Sequence, residues 1–257
     1  MKLIDDVYLV SGGHFGLGHF ADCNVYLIDC GGELVLIDSG AGIDVAPLIK
    51  NVRAHDFKVT DITHIINTHC HLDHVGGDRK IQDMSNCKIM VHEKGAEIIE
   101  KGNPQLTDAA PDILKFQTVH VNKRLRDNDT LKIGNHEFQI LHTPGHSDDS
   151  ICILMEETYG RALFTGDTAW AFGQPGVFPL GARSDLRAYY ESIERVSKLK
   201  IDILFPGHTN FILSDASEHI DHLLTKLSGV WSDFVLHPPH PFWPTAMIRR
   251  KLVAHEK

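Results

Sequence analysis

Residues 69–74, His-Cys-His-Leu-Asp-His, place three imidazoles and one carboxylate in six consecutive positions, directly after the apolar run Ile62-Thr-His-Ile-Ile-Asn67. Neutral imidazole nitrogen and carboxylate oxygen are ligands of borderline divalent ions, zinc first, with iron, manganese and nickel behind it. In an extended segment His69 and His71 point to one side, while Asp73 and His74 come round as the chain turns. The spacing therefore supports two groups of ligands facing two metals. A lone histidine after a strand is more often a core or surface residue, but a His-x-His-x-Asp-His cluster reverses that expectation.

Stepping along the chain, four apolar strands each end in candidate ligands. The run ending at Asn67 delivers the cluster, Gln139-Ile-Leu141 delivers His146, Ala162-Leu-Phe164 delivers Asp167, and Ile203-Leu-Phe205 delivers His208. Loops at strand ends are where a sheet can fix a group and still expose it. A glycine accompanies each, at Gly76, Gly145, Gly166 and Gly207, and lets backbones crowd around a metal.

The elements expected around these ends are strands over 7–10, 23–29 and 33–37, an antiparallel meander, then a helix over 45–54 with Asp44 as its cap. Further strands are expected over 62–67 and 88–92, with helices over 79–84 and 93–101. The second half reads as strands over 116–121, 130–133, 137–142, 151–155, 162–165 and 201–205, with helices over 185–199 and from Ser214 to about 227. Such a pattern predicts an α/β fold: a four-layer αββα sandwich of two mixed sheets with helices on the outer faces. The glycine-rich segment 11–22 lacks the order of a dinucleotide loop and reads as a rim loop or a wide hairpin. Residues 102–115 read as an irregular crossing between halves. One domain over 1–257 is expected, with a Pro- and aromatic-rich extension from about 230 that includes His237-Pro-Pro-His-Pro-Phe-Trp-Pro244, whose Phe242 and Trp243 either bury against the body or form an interface, as a subunit contact of a homodimer or a flap over a neighbouring site.

A formal charge of −9 opposes nucleic acid and anionic membranes as partners and leaves a small-molecule substrate. The five cysteines include no Cys-x-x-Cys pair and read as free thiols, with Cys70 and Cys152 as buried filler. The first residues show no signal peptide, and no apolar stretch approaches the ~20 residues that span a bilayer. A cytoplasmic location is the expectation.

The ordered set His-x-His-x-Asp-His, Pro-Gly-His, Gly-Asp-Thr, Pro-Gly-His resembles the metallo-β-lactamase-fold superfamily, in particular its dinuclear glyoxalase II and lactonase-like branch, from about Asn24 to His208. The resemblance implies that His69, His71 and His146 hold one metal, that Asp73, His74 and His208 hold the second, and that Asp167 bridges them. It implies two divalent ions, zinc foremost, and hydrolysis of an ester, thioester or lactone bond by a metal-bridging hydroxide, with Asp73 as the catalytic carboxylate that orients it and takes up a proton. Asp38 matches a position that supports the site from behind, with simple turn capping as the plainer role. Trp170 stands where lactonases of this branch often carry a tyrosine, and the usual glyoxalase II run is replaced by an apolar loop over 169–181, suited to lining a pocket for a hydrophobic acyl group or equally to core packing. The alternative carried by the same motifs is a mononuclear iron, persulfide dioxygenase-like oxidoreductase.

Overall fold

Antiparallel neighbours can be joined by a tight turn, whereas parallel neighbours need a crossover, usually a helix; both connections occur in the first sheet. The computed structural model describes residues 1–103, 116–176 and 183–236, with side chains as far as Gly229. The first sheet holds β1 (Val7–Ser11), β2 (Val25–Asp29), β3 (Leu34–Ile37), β4 (Ile62–Ile66), β5 (Lys88–His92) and β6 (Lys123–Leu125), side by side in chain order. β1 to β3 form the expected antiparallel meander, and β3 to β6 run parallel. The parallel steps carry α1 (Ala46–Arg53), then α2 (Leu72–Val75) with α3 (Asp78–Ser85), then α4 (Glu93–Lys101).

The second sheet holds β7 (Thr130–Ile133), β8 (His136–His142), β9 (Ile151–Glu157), β10 (Gly160–Gly166) and β11 (Ile203–Pro206), in the order β11-β10-β9-β8-β7. It is antiparallel except for the pair β10 and β11, which α5 (Leu186–Ser197) connects. α6 (Ala216–Leu236) follows.

Period-two alternation assigns the side chains to layers. In β9, Ile151, Ile153 and Met155 enter the core between the sheets, where they meet Val35 and Ile37 of β3. Cys152 and Leu154 face the other way, onto Tyr189, Ile193 and Val196 of α5 and Ile220 and Leu223 of α6. Leu34 and Leu36 of β3 pack outward on Leu48 and Val52 of α1, in a core shared with Ile81 of α3 and Ile99 of α4. Three apolar layers separate four layers of backbone, so the αββα sandwich is the observed architecture.

Two expectations need correction, and three lie wholly or partly outside the described residues. Residues 116–121 are not a strand; Val119 and Val121 are buried by their alternation, but the first ladder with β5 forms only at β6, after Asn122 bonds Ile89 through both its backbone N–H and its side-chain oxygen. Ser214 does not cap α6, which starts at Ala216 and runs to Leu236; the N–H groups of Ala216 and Ser217 donate to the carbonyls of Asp202 and Ile201 instead. The segment 237–244, most of 102–115 and the end of the apolar loop over 177–181 lie outside the described residues. Among the described residues, no helix is long and apolar enough to cross a membrane.

Candidate metal centre

The C-terminal ends of β4, β8, β10 and β11 meet at one edge of the sandwich. Beyond β4 the chain bends at Thr68 and His69, and His71, in an extended backbone conformation (φ −68°, ψ 148°), caps the single turn of α2. His69 and His71 are thus set by the bend after the strand rather than by strand alternation, and Asp73 and His74 by a helical turn. Gly207 is required by close approach: a Cβ there would stand 2.7 Å from both Asp167 Oδ1 and His74 Cε1.

All seven residues singled out from the sequence converge. His71 Nδ1 lies 3.0 Å from His69 Nε2 and 2.9 Å from His146 Nε2, a compact triad of ring nitrogens. Asp73 Oδ2 lies 3.0 Å from His208 Nε2 and 3.6 Å from His74 Nε2, a second triad. Asp167 stands between them: Oδ2 is 3.6 Å from His146 Nε2, whereas Oδ1 is 3.6 Å from both His74 Nε2 and His208 Nε2. Each triad has its ligand atoms within 4.8 Å of one another, close enough to share an ion.

Burial, followed by the neighbouring imidazoles, pushes His69 well below the ordinary imidazole range; burial likewise brings His146 down to about 4, against the pull of Asp167. Both are therefore neutral near pH 7 and offer lone pairs. Burial would raise Asp167, but the His208, His74 and His146 rings hold it well below the ordinary carboxylate range, so it is ionised. Asp73 is lowered in the same way by His74 and His208 against its burial.

His74 shows most directly that the centre suits a cation. Its Nδ1 is 2.8 Å from Asp38 Oδ2, and an ionised carboxylate there makes Nδ1 the protonated nitrogen. Its Nε2 is buried, has no hydrogen-bond partner, and faces the Asp73 and Asp167 carboxylates. Against its burial, the Asp73, Asp38 and Asp167 carboxylates push His74 well above the ordinary imidazole range, so the place between Nε2 and the two carboxylates favours a positive charge, which a proton on Nε2 or a metal ion in its stead would supply. A divalent ion with imidazole and carboxylate ligands fits that arrangement. Asp38 also accepts from the backbone N–H of Thr68 at 2.7 Å and its hydroxyl at 2.8 Å, so it does support the cluster from behind.

Other supports were not singled out from sequence. Asn24 Nδ2 donates to the carbonyls of Pro206 and Thr209, and the Tyr26 hydroxyl donates to Pro206, tying the His208 loop to β2. Cys70 is buried but is more than filler: the Arg183 guanidinium contacts its sulfur and also pairs at 2.8 Å with the buried Asp149, three residues beyond His146. Trp170, three residues beyond Asp167, donates its indole N–H to Asp167 Oδ1 at 3.2 Å. Its spacing from Asp167 was the available signal.

Comparison with known proteins agrees with this geometry. Residues 20–208 match the family described as the metallo-beta-lactamase superfamily. A lactamase-like protein of Aspergillus fumigatus is 30% identical over 91% of this chain and 62% of its own length, and an atrochrysone carboxyl ACP thioesterase of the same organism is 30% identical over 79% and 55%. The chain thus spans about three fifths of the length of these curated relatives. A probable metallo-hydrolase of Methanocaldococcus jannaschii is 31% identical over 74% of this chain and 89% of its own. Among solved structures, the subclass B3 metallo-β-lactamase of Bradyrhizobium japonicum superposes with a TM-score of 0.72 at 23% identity, covering 92% of this chain and 93% of that one, a likeness of fold.

Proposed function

The chain belongs to the metallo-β-lactamase superfamily, and from that premise we propose that it is a dinuclear metal-dependent hydrolase cleaving an ester, thioester or lactone bond of a small molecule. The observation that carries the reading is the division of the ligand atoms into two triads by one carboxylate whose two oxygens face different triads. His69, His71 and His146 would hold one ion, Asp73, His74 and His208 the other, and Asp167 both. Zinc ions, or iron, manganese or nickel, would supply Lewis-acid polarisation of the scissile carbonyl and a water ionised near neutral pH.

The chain's own residues do the rest. Asp38 holds His74 in the tautomer that leaves Nε2 bare. Asp73, with a side chain 35% exposed, is the more open carboxylate of the centre; held below the ordinary carboxylate range by the positive charge it faces, it can accept a hydrogen bond from the attacking water and then its proton. Thioesters are the first class to test, because a relative 30% identical to this chain carries a thioesterase name. Phe172, 55% exposed in the turn after Trp170, adds apolar surface suited to a hydrophobic acyl group. The −9 formal charge favours a small molecule over nucleic acid, and a cytoplasmic location suits the free thiols.

A single iron held by two histidines and Asp167 would leave the other ligands without a task, which favours the hydrolase over the dioxygenase. Metal content per chain, measured on protein produced without added metal, tests the choice. About two divalent ions, followed by turnover in a screen of thioesters, lactones and esters, is the expected result. One iron per chain with oxygen uptake on persulfides would overturn it.

A further inference from the structure

A carboxylate that serves two ions must present one oxygen to each, and its terminal torsion is intrinsically broad. Asp167 meets this demand with Oδ2 toward His146 and Oδ1 toward His74 and His208. One neighbour selects that orientation: the Trp170 indole N–H donates to Oδ1 at 3.2 Å, and its ring packs edge-on against His208 with centroids 5.3 Å apart.

The indole is held by the turn that carries it. The backbone N–H of Trp170 donates to Gln174, while Lys226 Nζ of α6 donates to the carbonyls of Phe172 and Gly173. The N–H of Phe172 donates to His219 Nδ1, also on α6. Phe172 itself adopts a left-handed conformation, φ 60°, which a bulky residue takes only when its surroundings impose it. Before Trp170, the carbonyls of Thr168 and Ala169 accept from the hydroxyls of Tyr189 and Thr165. The turn therefore fixes the backbone that carries the indole, so the indole reaches Asp167 from a set position.

We infer that Trp170 is a positioning residue for the bridging carboxylate, locking the rotation of Asp167 so that Oδ1 stays directed at the triad of Asp73, His74 and His208. This rests on the dinuclear reading above. Its consequence is asymmetric: loss of the indole N–H weakens the ion held by that triad and spares the ion held by His69, His71 and His146.

The test is zinc binding by competition with a chelating dye, for wild type and for Trp170→Phe, with the absorption spectrum of the cobalt-substituted protein recorded for both. Wild-type protein that binds two ions upholds the dinuclear reading by itself, and the variant then tests the inference. The expected result is a loss of about tenfold in affinity for one of the two ions, the scale of a hydrogen bond to a charged group, with a change in the cobalt bands confined to that ion. Two affinities unchanged, or both lowered equally, would overturn the role. Should the variant fail to fold, the wild-type protein labelled with nitrogen-15 serves: one of the indole N–H signals from its three tryptophans should move with the second equivalent of zinc. No movement would equally overturn it.

Discussion

An imidazole ligates only through a nitrogen kept bare, so the residue that fixes the proton on the other nitrogen matters nearly as much as the ligand. Asp38 does this for His74 and also receives both donors of Thr68. Replacement by alanine, Asp38→Ala, is expected to weaken metal binding by about 10–100-fold, read by chelator competition, with the fold retained by circular dichroism; unchanged affinity would remove Asp38 from the centre. Behind it lies a second carboxyl with a different fate. Asp78 is fully buried, and although the Ser39 and Asn67 contacts oppose it, burial pushes it up to about 7. A carboxyl raised in the folded state holds a proton that the unfolded chain has released, so its contribution to stability falls as pH rises from about 4 to about 7 and is level above. Asn67 Nδ2 donates to Asp78 Oδ2 at 2.6 Å, and the remaining oxygens of both side chains are without partners, so an amide at 78 could bond reciprocally. Asp78→Asn is expected to gain on wild type in urea midpoint between about pH 5 and about pH 8; a parallel pH slope for the two proteins would refute the assignment. Four of the ligands were legible because their types repeat within residues 69–74, and His146, Asp167 and His208 because each follows an apolar strand with a glycine beside it. Asp149 with Arg183 was not, because that pairing spans 34 residues and is created only when the chain folds.

At the scale of elements, two positions separate holding a helix from holding the centre. Asp185 caps α5, its Oδ1 accepting from the N–H groups of Arg187 and Ala188. Asp185→Ala is expected to cost about 1 kcal/mol of stability and to leave metal content unchanged; loss of an ion would show that α5 carries more of the site than its packing implies. Gly207→Ala should do the opposite. Its Cβ meets a ligand oxygen and a ligand ring at 2.7 Å, so Asp167 or His74 must move, and the ion on that side is expected to be lost while far-ultraviolet dichroism is retained. Full metal occupancy in that variant would mean that β11 shifts at little cost. Elements with both a pattern and a stop were readable: Lys88–His92 and Glu93–Lys101 have the expected bounds, since apolar alternation ends where helical spacing begins and Gly102, at φ 67°, closes the helix. Residues 116–121 show the limit of that reasoning. Alternation reports which side chains are buried, and Val119 and Val121 are, but it does not report whether a neighbouring strand supplies hydrogen bonds. Likewise the start of α6 rests on carbonyls of residues 201 and 202, outside the helix, which a local search for a cap does not see.

For the whole molecule, the αββα arrangement was legible from the order and spacing of strands and helices, and it explains why the centre lies where two sheets meet. His69, His71, Asp73 and His74 leave the first sheet, whereas His146, Asp167 and His208 leave the second, so each proposed ion would take ligands from both. The opposite edge is closed by hydrogen bonds: the N–H of Asn135 donates to the Cys30 carbonyl at 3.1 Å, that of Gly134 to Glu33 at 3.0 Å, and His136 bonds the Asp29 carbonyl at 3.2 Å. Between the edges lies an apolar layer in which Phe164, Phe205 and Tyr26 pack ring against ring. Removal of metal should therefore loosen one edge and leave the rest of the sandwich assembled. An ion present at 1,000 times its dissociation constant contributes about 4 kcal/mol to the folded state, so chelation is expected to lower the unfolding midpoint by several degrees while secondary structure persists. Amide exchange should accelerate over 67–75, 143–147 and 206–209 and stay unchanged at the turns over 30–33 and 134–136. Equal acceleration at both edges would mean that the sheets separate as a unit, and that the ions act on global stability rather than as a clasp at the site.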